Sequence, residues 1–204
     1  MSSVIHTIGH SNHSIQEFIE LLHQHSITAI ADVRSTPYSR WVPQYSSEAL
    51  KKALTNADIA YVFLGKELGA RSNNISCYVQ GKVQYDRLAK EANFHEGIKR
   101  ITQGMNNYQI ALMCVEKDPI NCHRALLVAR KLFESGIPIN HIHYDGSLET
   151  HNAMEIRLLE MCKLPQDDMF KPQKDFIIEA YAIQGERVAY QDESMELNDK
   201  MEIL

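Results

Sequence analysis

Short apolar runs alternate with segments of helical period along the chain. Val4–Ile8 is apolar and is stopped by Gly9-His10-Ser11. Ser14 followed by Glu17 has the spacing of a capping box. Ile15, Phe18, Ile19, Leu21 and Leu22 then recur at helical spacing, so a helix is predicted to end near His25. Ile27–Val33 reads as a second buried strand, and Thr36 to Pro43 as a loop that Pro37 and Pro43 keep from coiling. Ser47 opens a helix through about Asn56, Ile59–Leu64 is a third strand, and a long loop begins at Gly65 and Gly69. A polar helix is predicted over 82–103. Tyr108–Cys114 is the strongest β signal, and an apolar helix over Cys122–Ser135 is stopped by Gly136. Ile137–His143 is a fifth strand, placed at a sheet edge because Pro138 cannot donate to a ladder. Residues 149–163 read as helical, and no element is assigned beyond Leu164.

Strands that are apolar throughout, alternating with helices, predict a three-layer α/β fold. Its sheet is mainly parallel, has about five strands, and is covered on both faces. An α/β domain over 1–165 and a C-terminal extension over 166–204 are expected. Right-handed crossovers place every strand-to-helix loop on one edge of the sheet. Ligands of such folds bind there.

Composition narrows the function classes. The 204 residues carry a net charge of −5, and the acidic tail over 191–204 accounts for −4 of it. The nearly neutral body excludes a general nucleic-acid coating surface, although a local basic pocket is compatible with it. No apolar run has the ~18–20 residues that span a bilayer, so no membrane partner is expected. The first residues do not resemble a signal peptide, which reads as a cytoplasmic protein. The four cysteines, Cys77, Cys114, Cys122 and Cys162, show no CxxC spacing. Neither a dinucleotide fingerprint nor a Walker string is present, so no cofactor is assigned.

The predicted strand ends gather polar residues: His10 and Ser11; Asp32, Arg34, Tyr38 and Arg40; Lys66 and Arg71; Cys114, Glu116, Cys122, His123 and Arg124; Asp145, Glu149 and His151. The strings TIGHSNHS, ADVRSTPYSR, GKELGAR, CVEKDPINCHR and HYDGSLETH closely resemble the family known as domain of unknown function 488, in order, from about residue 4 to residue 160. Gly69-Ala70-Arg71 departs from it where members often carry a second glycine. The resemblance implies a fold and site candidates rather than a reaction.

The string from Cys114 to Arg124 carries the most chemistry. Cys122, His123 and Arg124 are predicted at the first turn of a helix, where free N–H groups and neighbouring cations would stabilise a thiolate. Cys122 is thus a candidate nucleophile, or else a small buried residue. His123, His10 and Glu116 are candidate acid–base groups. Structural alternatives are a helix cap for His10 and a solvated turn for Glu116. Arg34, Arg40 and Arg124 are candidate anion-binding groups, with Ser11, Asp32 and Tyr38 beside them. The alternative for Asp32 and Arg34 is an internal brace. His151 is a further acid–base candidate, while His23, His25, His95 and His141 read as surface or helix-face residues. Asp145, Glu149 and His151, with Cys122 or His123, match no standard ligand spacing, so no metal is assigned.

Phosphatase chemistry needs Cys, five residues, then Arg, but Ile120 and Val128 occupy the two positions where that Arg would stand. Three functions stay open. One is an enzyme acting on a small anionic ligand, nucleotide-like or derived from nucleic acid, in a cleft at the strand ends. The second is a non-catalytic module binding a nucleotide, nucleic acid or protein. The third is a rhodanese-like sulfur transferase using Cys114, by analogy with Asp-x-Arg after an early strand. The oligomeric state is not written in the sequence.

Overall fold

In a computed structural model of the chain, which describes residues 4–194, a six-stranded sheet is sandwiched between helices. In chain order its elements begin with β1 (Ile5–Gly9), α1 (Ile15–Gln24), β2 (Ala29–Asp32), α2 (Ser47–Asn56) and β3 (Ala60–Phe63). A one-turn helix α3 (Gly65–Leu68) and a two-residue hairpin of β4 (Tyr78–Val79) and β5 (Lys82–Val83) follow. Then come α4 (Tyr85–Leu88), α5 (Ala92–Gly104) and β6 (Ile110–Cys114). A π-helical turn over Arg124–Ala129 runs into α6 (Arg130–Glu134). The last elements are β7 (Ile139–Ile142), β8 (Leu148–Thr150), α7 (His151–Cys162) and α8 (Gln173–Val188).

The strand order is β3-β2-β6-β1-β7-β8, parallel throughout except for β8, which runs antiparallel to β7. All five predicted strands are present, and the parallel arrangement puts their carboxyl ends along one rim. Period-two alternation sorts β6 between two cores. Ala111 and Met113 face Phe18, Leu22, Leu50 and Leu54 of α1 and α2. Ile110, Leu112 and Cys114 face Phe94 and Ile101 of α5 and Leu127 and Val128 of the π-turn. A third cluster joins Ala125 and Leu126 to Met154 and Leu158 of α7 and Phe176 and Ala180 of α8.

The predicted capping box exists: Glu17 N–H donates to Ser14 Oγ (3.2 Å), and Ser14 N–H donates to Glu17 Oε2 (2.8 Å). Gly136 stops α6 with a φ of +91°. Several expectations are corrected. β7 is an interior strand between β1 and β8, because Pro138 precedes the ladder and contributes only its carbonyl, which accepts from Ile5 N–H. The polar helix over 82–103 is broken. Lys82–Val83 pairs with Tyr78–Val79, Val83 N–H donates to the Tyr190 carbonyl, and α5 begins only at Ala92. The stretch beyond Leu164 acquires α8. The helix predicted from Cys122 starts later: Cys122 is extended (φ −140°, ψ 136°) after a 3-10 turn at Pro119–Asn121. The acidic tail beyond Ser194 and the first three residues lie outside the described residues. No helix among the described residues is long and apolar enough to cross a membrane.

Because β7 is interior, His141 is buried rather than on a surface. It joins a chain of hydrogen bonds: Thr7 Oγ1 to His141 Nδ1 (2.8 Å), His141 Nε2 to His151 Nδ1 (3.0 Å), His151 Nε2 to Tyr181 Oη (2.9 Å), and Tyr181 Oη to Glu155 Oε1 (3.0 Å). The chain ties the sheet to α7 and α8. Burial lowers the pKa of His151 to about 4 and that of His141 well below the ordinary value. Burial likewise lowers His6 and His10 to about 4.

These histidines are neutral when folded and free to protonate near pH 6.5 when unfolded. Acid therefore favours the unfolded chain. Urea unfolding is expected to show stability lost as pH falls from about 6.5 towards about 4, at up to ~1.4 kcal/mol per pH unit for each such histidine. A stability that stays flat across that window would contradict the buried neutral assignments.

Candidate active site

The site is built at the carboxyl end of β6, next to the ends of β1 and β2. Cys114 is the last residue of β6 and Gly9 its partner on β1. The chain leaves β6 through Val115–Asp118, makes the 3-10 turn, and returns at Cys122 and His123. Asp118 holds that turn by accepting from Ile120 N–H (3.1 Å) and from both terminal nitrogens of Arg157 (2.8 and 3.0 Å). Gly9 is required by close approach, since a Cβ there would overlap the Glu116 carbonyl oxygen.

Two thiols, an imidazole and a carboxylate meet in this space. His123 Nδ1 lies 3.8 Å from Cys114 Sγ and 3.9 Å from Cys122 Sγ. Its other nitrogen, Nε2, donates to the Val33 carbonyl (2.9 Å) beyond the end of β2. The Cys122 thiol donates to Glu116 Oε2 (2.8 Å) and receives the Arg124 backbone N–H (3.4 Å). Cys114, Cys122 and His123 are all buried.

The surroundings divide the charges. Burial opposes ionisation of Cys122, but the Cys114 hydrogen bond, the Arg124 guanidinium and His123 outweigh it and bring its pKa well below the usual thiol range. The bond to Cys122, then burial, push the Cys114 thiol up. Burial of the carboxylate end and the neighbouring Cys122 raise Glu116. Burial lowers His123, while its bond to Cys122 and the charge on that sulfur more than restore it. The shifts of Cys122 and Glu116 run in opposite directions across the hydrogen bond that joins them.

Cys114, Glu116 and His123 line an open cleft of about 270 Å³ together with Arg34, Ser35, Thr36, Arg71, Tyr85, Asn121 and Tyr190. Cys122 lies behind this lining. A larger cavity of about 930 Å³, which includes Lys66, Asn73 and Asn93, shares Ser35, Thr36 and Arg71 with the cleft. The Arg71 guanidinium stacks over the Tyr190 ring at 4.1 Å.

The other expected site residues are placed as follows. Arg34 is held in a brace. Its Nε donates to Asp32 Oδ1 (2.9 Å), and its terminal nitrogen donates to Asp32 Oδ2 (2.7 Å) and to the Tyr45 carbonyl (2.9 Å). Tyr61 adds a hydrogen bond to Asp32 (2.8 Å). His10 is fully buried rather than exposed to a cleft. It stacks on Tyr45 at 4.0 Å and lies 3.3 Å from Arg34. Arg124 is buried and donates to the Glu116 (2.7 Å) and Lys117 (3.5 Å) carbonyls, so it fixes the loop, while its Nε has no hydrogen-bond partner among the described residues. Ser11 does not line the cleft. Tyr38 and Arg40 are exposed and also stand away from it. Glu149 pairs with His143 and Arg157, and Asp145 accepts from Ser147, so neither joins the thiols. Arg71 and Tyr190 were not among the expected site residues. Position after the third strand points to Arg71, while no local pattern points to Tyr190.

A family profile described as "Domain of unknown function DUF488" matches residues 14–131, more than half of the chain. The chain belongs to this family. The match takes in ADVRSTPYSR, GKELGAR and CVEKDPINCHR, so both thiols, Glu116, His123 and the Asp32–Arg34 brace fall inside the DUF488 segment, while Tyr190 falls outside it. No curated protein and no solved structure matches the chain.

Two substitutions test this construction. Asp32→Ala leaves the buried Arg34 uncompensated and is expected to cost roughly 3–5 kcal/mol in urea unfolding. Gly9→Ala should cost about 1–3 kcal/mol by overpacking. Wild-type stability in either variant would mean that the rim is not packed as described.

Proposed function

We propose that this DUF488 chain is an enzyme that hydrolyses, or transfers a group from, a small anionic substrate of nucleotide-like character. The observation that carries this is the convergence of Cys114, Glu116 and His123 on one cleft, with Cys122 directly behind. A cluster of ionisable groups with shifted pKa values in a cleft at the strand ends is what catalysis requires of an α/β sheet. Glu116 serves as the acid–base group. The anion is held by Arg71 and, in the adjoining cavity, by Lys66, because Arg34 and Arg124 are engaged by the protein itself. Tyr190 and Tyr85 offer aromatic faces for a base or sugar.

A sulfur-transferase alternative retains one supporting observation: Cys114 lies on the cleft at the end of a central parallel strand. It requires a persulfide on Cys114 after exposure to thiosulfate, detectable by mass. A purely binding module would take up the ligand without turnover.

Isothermal titration with nucleoside 5′-monophosphates, with inorganic phosphate as reference, tests the anion site. Loss of a charge-assisted contact in Arg71→Ala should weaken binding about tenfold or more. Equal affinity in wild type and Arg71→Ala, or no binding by either, contradicts it. Glu116→Gln should keep binding but slow any conversion of the bound nucleotide about 100-fold. Undiminished conversion would remove Glu116 from the chemistry.

A further inference from the structure

We propose that Cys114, Cys122 and His123 form a binding site for one thiophilic divalent metal ion, zinc foremost, with its fourth position open to the cleft. This deepens the enzymatic proposal by naming the cofactor class of the same site, and it rests on geometry that stands without knowledge of the substrate.

The first support is convergence. The two sulfurs and an imidazole nitrogen lie within 4.8 Å of one another, and His123 Nδ1 is 3.8 and 3.9 Å from the two sulfurs. A tetrahedral zinc with Zn–S of about 2.3 Å and Zn–N of about 2.0 Å needs sulfur-to-nitrogen separations of about 3.5 Å and a sulfur-to-sulfur separation of about 3.8 Å. The three side chains need to draw together by about an ångström at most.

The second support is what holds the ligands. His123 spends Nε2 on the Val33 carbonyl at 2.9 Å, which leaves Nδ1 as the ring atom turned to the sulfurs. Metal-bound histidines are oriented in just this way, by a carbonyl or carboxylate on the far nitrogen. The Arg124 N–H already donates to Cys122 Sγ at 3.4 Å, a bond that favours a thiolate.

Charge balance is the third. With both thiols ionised, the two thiolates and the Glu116 carboxylate carry three negative charges. Arg124 supplies one positive charge. A divalent cation neutralises the remainder of this buried cluster. Sulfur and imidazole donors select zinc over magnesium or calcium, which prefer oxygen. Three protein ligands, with Cys114, Glu116 and His123 lining the cleft, leave the fourth position facing it. That is the pattern of catalytic rather than structural zinc.

The test is cobalt titration of the full chain, stripped with chelator and with thiols reduced. The expected result is a thiolate-to-cobalt charge-transfer band with intense visible bands of a tetrahedral centre, saturating at one cobalt per chain and abolished by zinc. Cys122→Ser and His123→Ala should each weaken cobalt binding about 100-fold or more, beyond the usual effect of outer-shell changes. Cys162→Ser should leave it unchanged, and His123→Cys should retain a charge-transfer band from three thiolates. Absence of the band in wild type, or undiminished cobalt affinity in Cys122→Ser, overturns the proposal. Nucleotide titration of the metal-free protein is a separate readout. Arg71-dependent nucleotide binding without the cobalt band defeats the metal site alone, and the band without nucleotide binding defeats the anionic-substrate proposal alone.

Discussion

The hydrogen bond from His123 Nε2 to the Val33 carbonyl sets the rest of the site. It spans from the loop after β6 to the end of β2, and it turns the imidazole so that Nδ1 meets both thiols. Without it, Cys114 and Cys122 would be two small buried residues on opposite sides of a turn. With it, a strand end, an extended residue and a helix start become one chemical unit. The π-turn that follows buries all six of its side chains, so His123 is anchored behind as well as in front.

Around this unit the structure separates support from contact. Arg34 and Asp32 neutralise each other under Tyr45 and Tyr61, and Arg124 pins the loop carbonyls of Glu116 and Lys117. These buried cations hold the rim in shape and give positive potential, but few of their donors are left for a ligand. Arg71 lines the cleft from the segment between α3 and the β4–β5 hairpin, backed by the Tyr190 ring. The brace is thus drawn from β1, β2 and β6, and much of the cleft lining from the segments laid over them.

Much of the fold was legible because its strands are uninterrupted apolar runs. Five of them, the Ser14–Glu17 cap and the Gly136 stop are local signals, and local signals survive folding. Pro138 misled because a proline just before a strand looks the same in sequence as one on an edge. The 82–103 segment misled because its pairing partners, Tyr78–Val79 and Tyr190, are set by tertiary contact rather than by period. At the site, Cys114, Glu116, Cys122 and His123 were legible as one dense string. Whether Asp32 and Arg34 would clamp a ligand or brace a loop could not be read, since both uses need the same residues. His10 looked accessible from its Gly-His-Ser turn, yet Tyr45, thirty-five residues on, covers it. Tyr190 carries no signal of its own, because its place over Arg71 depends on the chain after α8 pairing with β5.

The convergence of two thiols and one imidazole nitrogen is most directly tested by diffraction from crystals of the full chain grown with zinc, with data collected across the zinc absorption edge. The account predicts one strong anomalous peak bonded to Cys114 Sγ, Cys122 Sγ and His123 Nδ1, with the His123–Val33 hydrogen bond intact. Zinc found only at exposed histidines such as His23 or His95, with the two sulfurs turned apart, would contradict it.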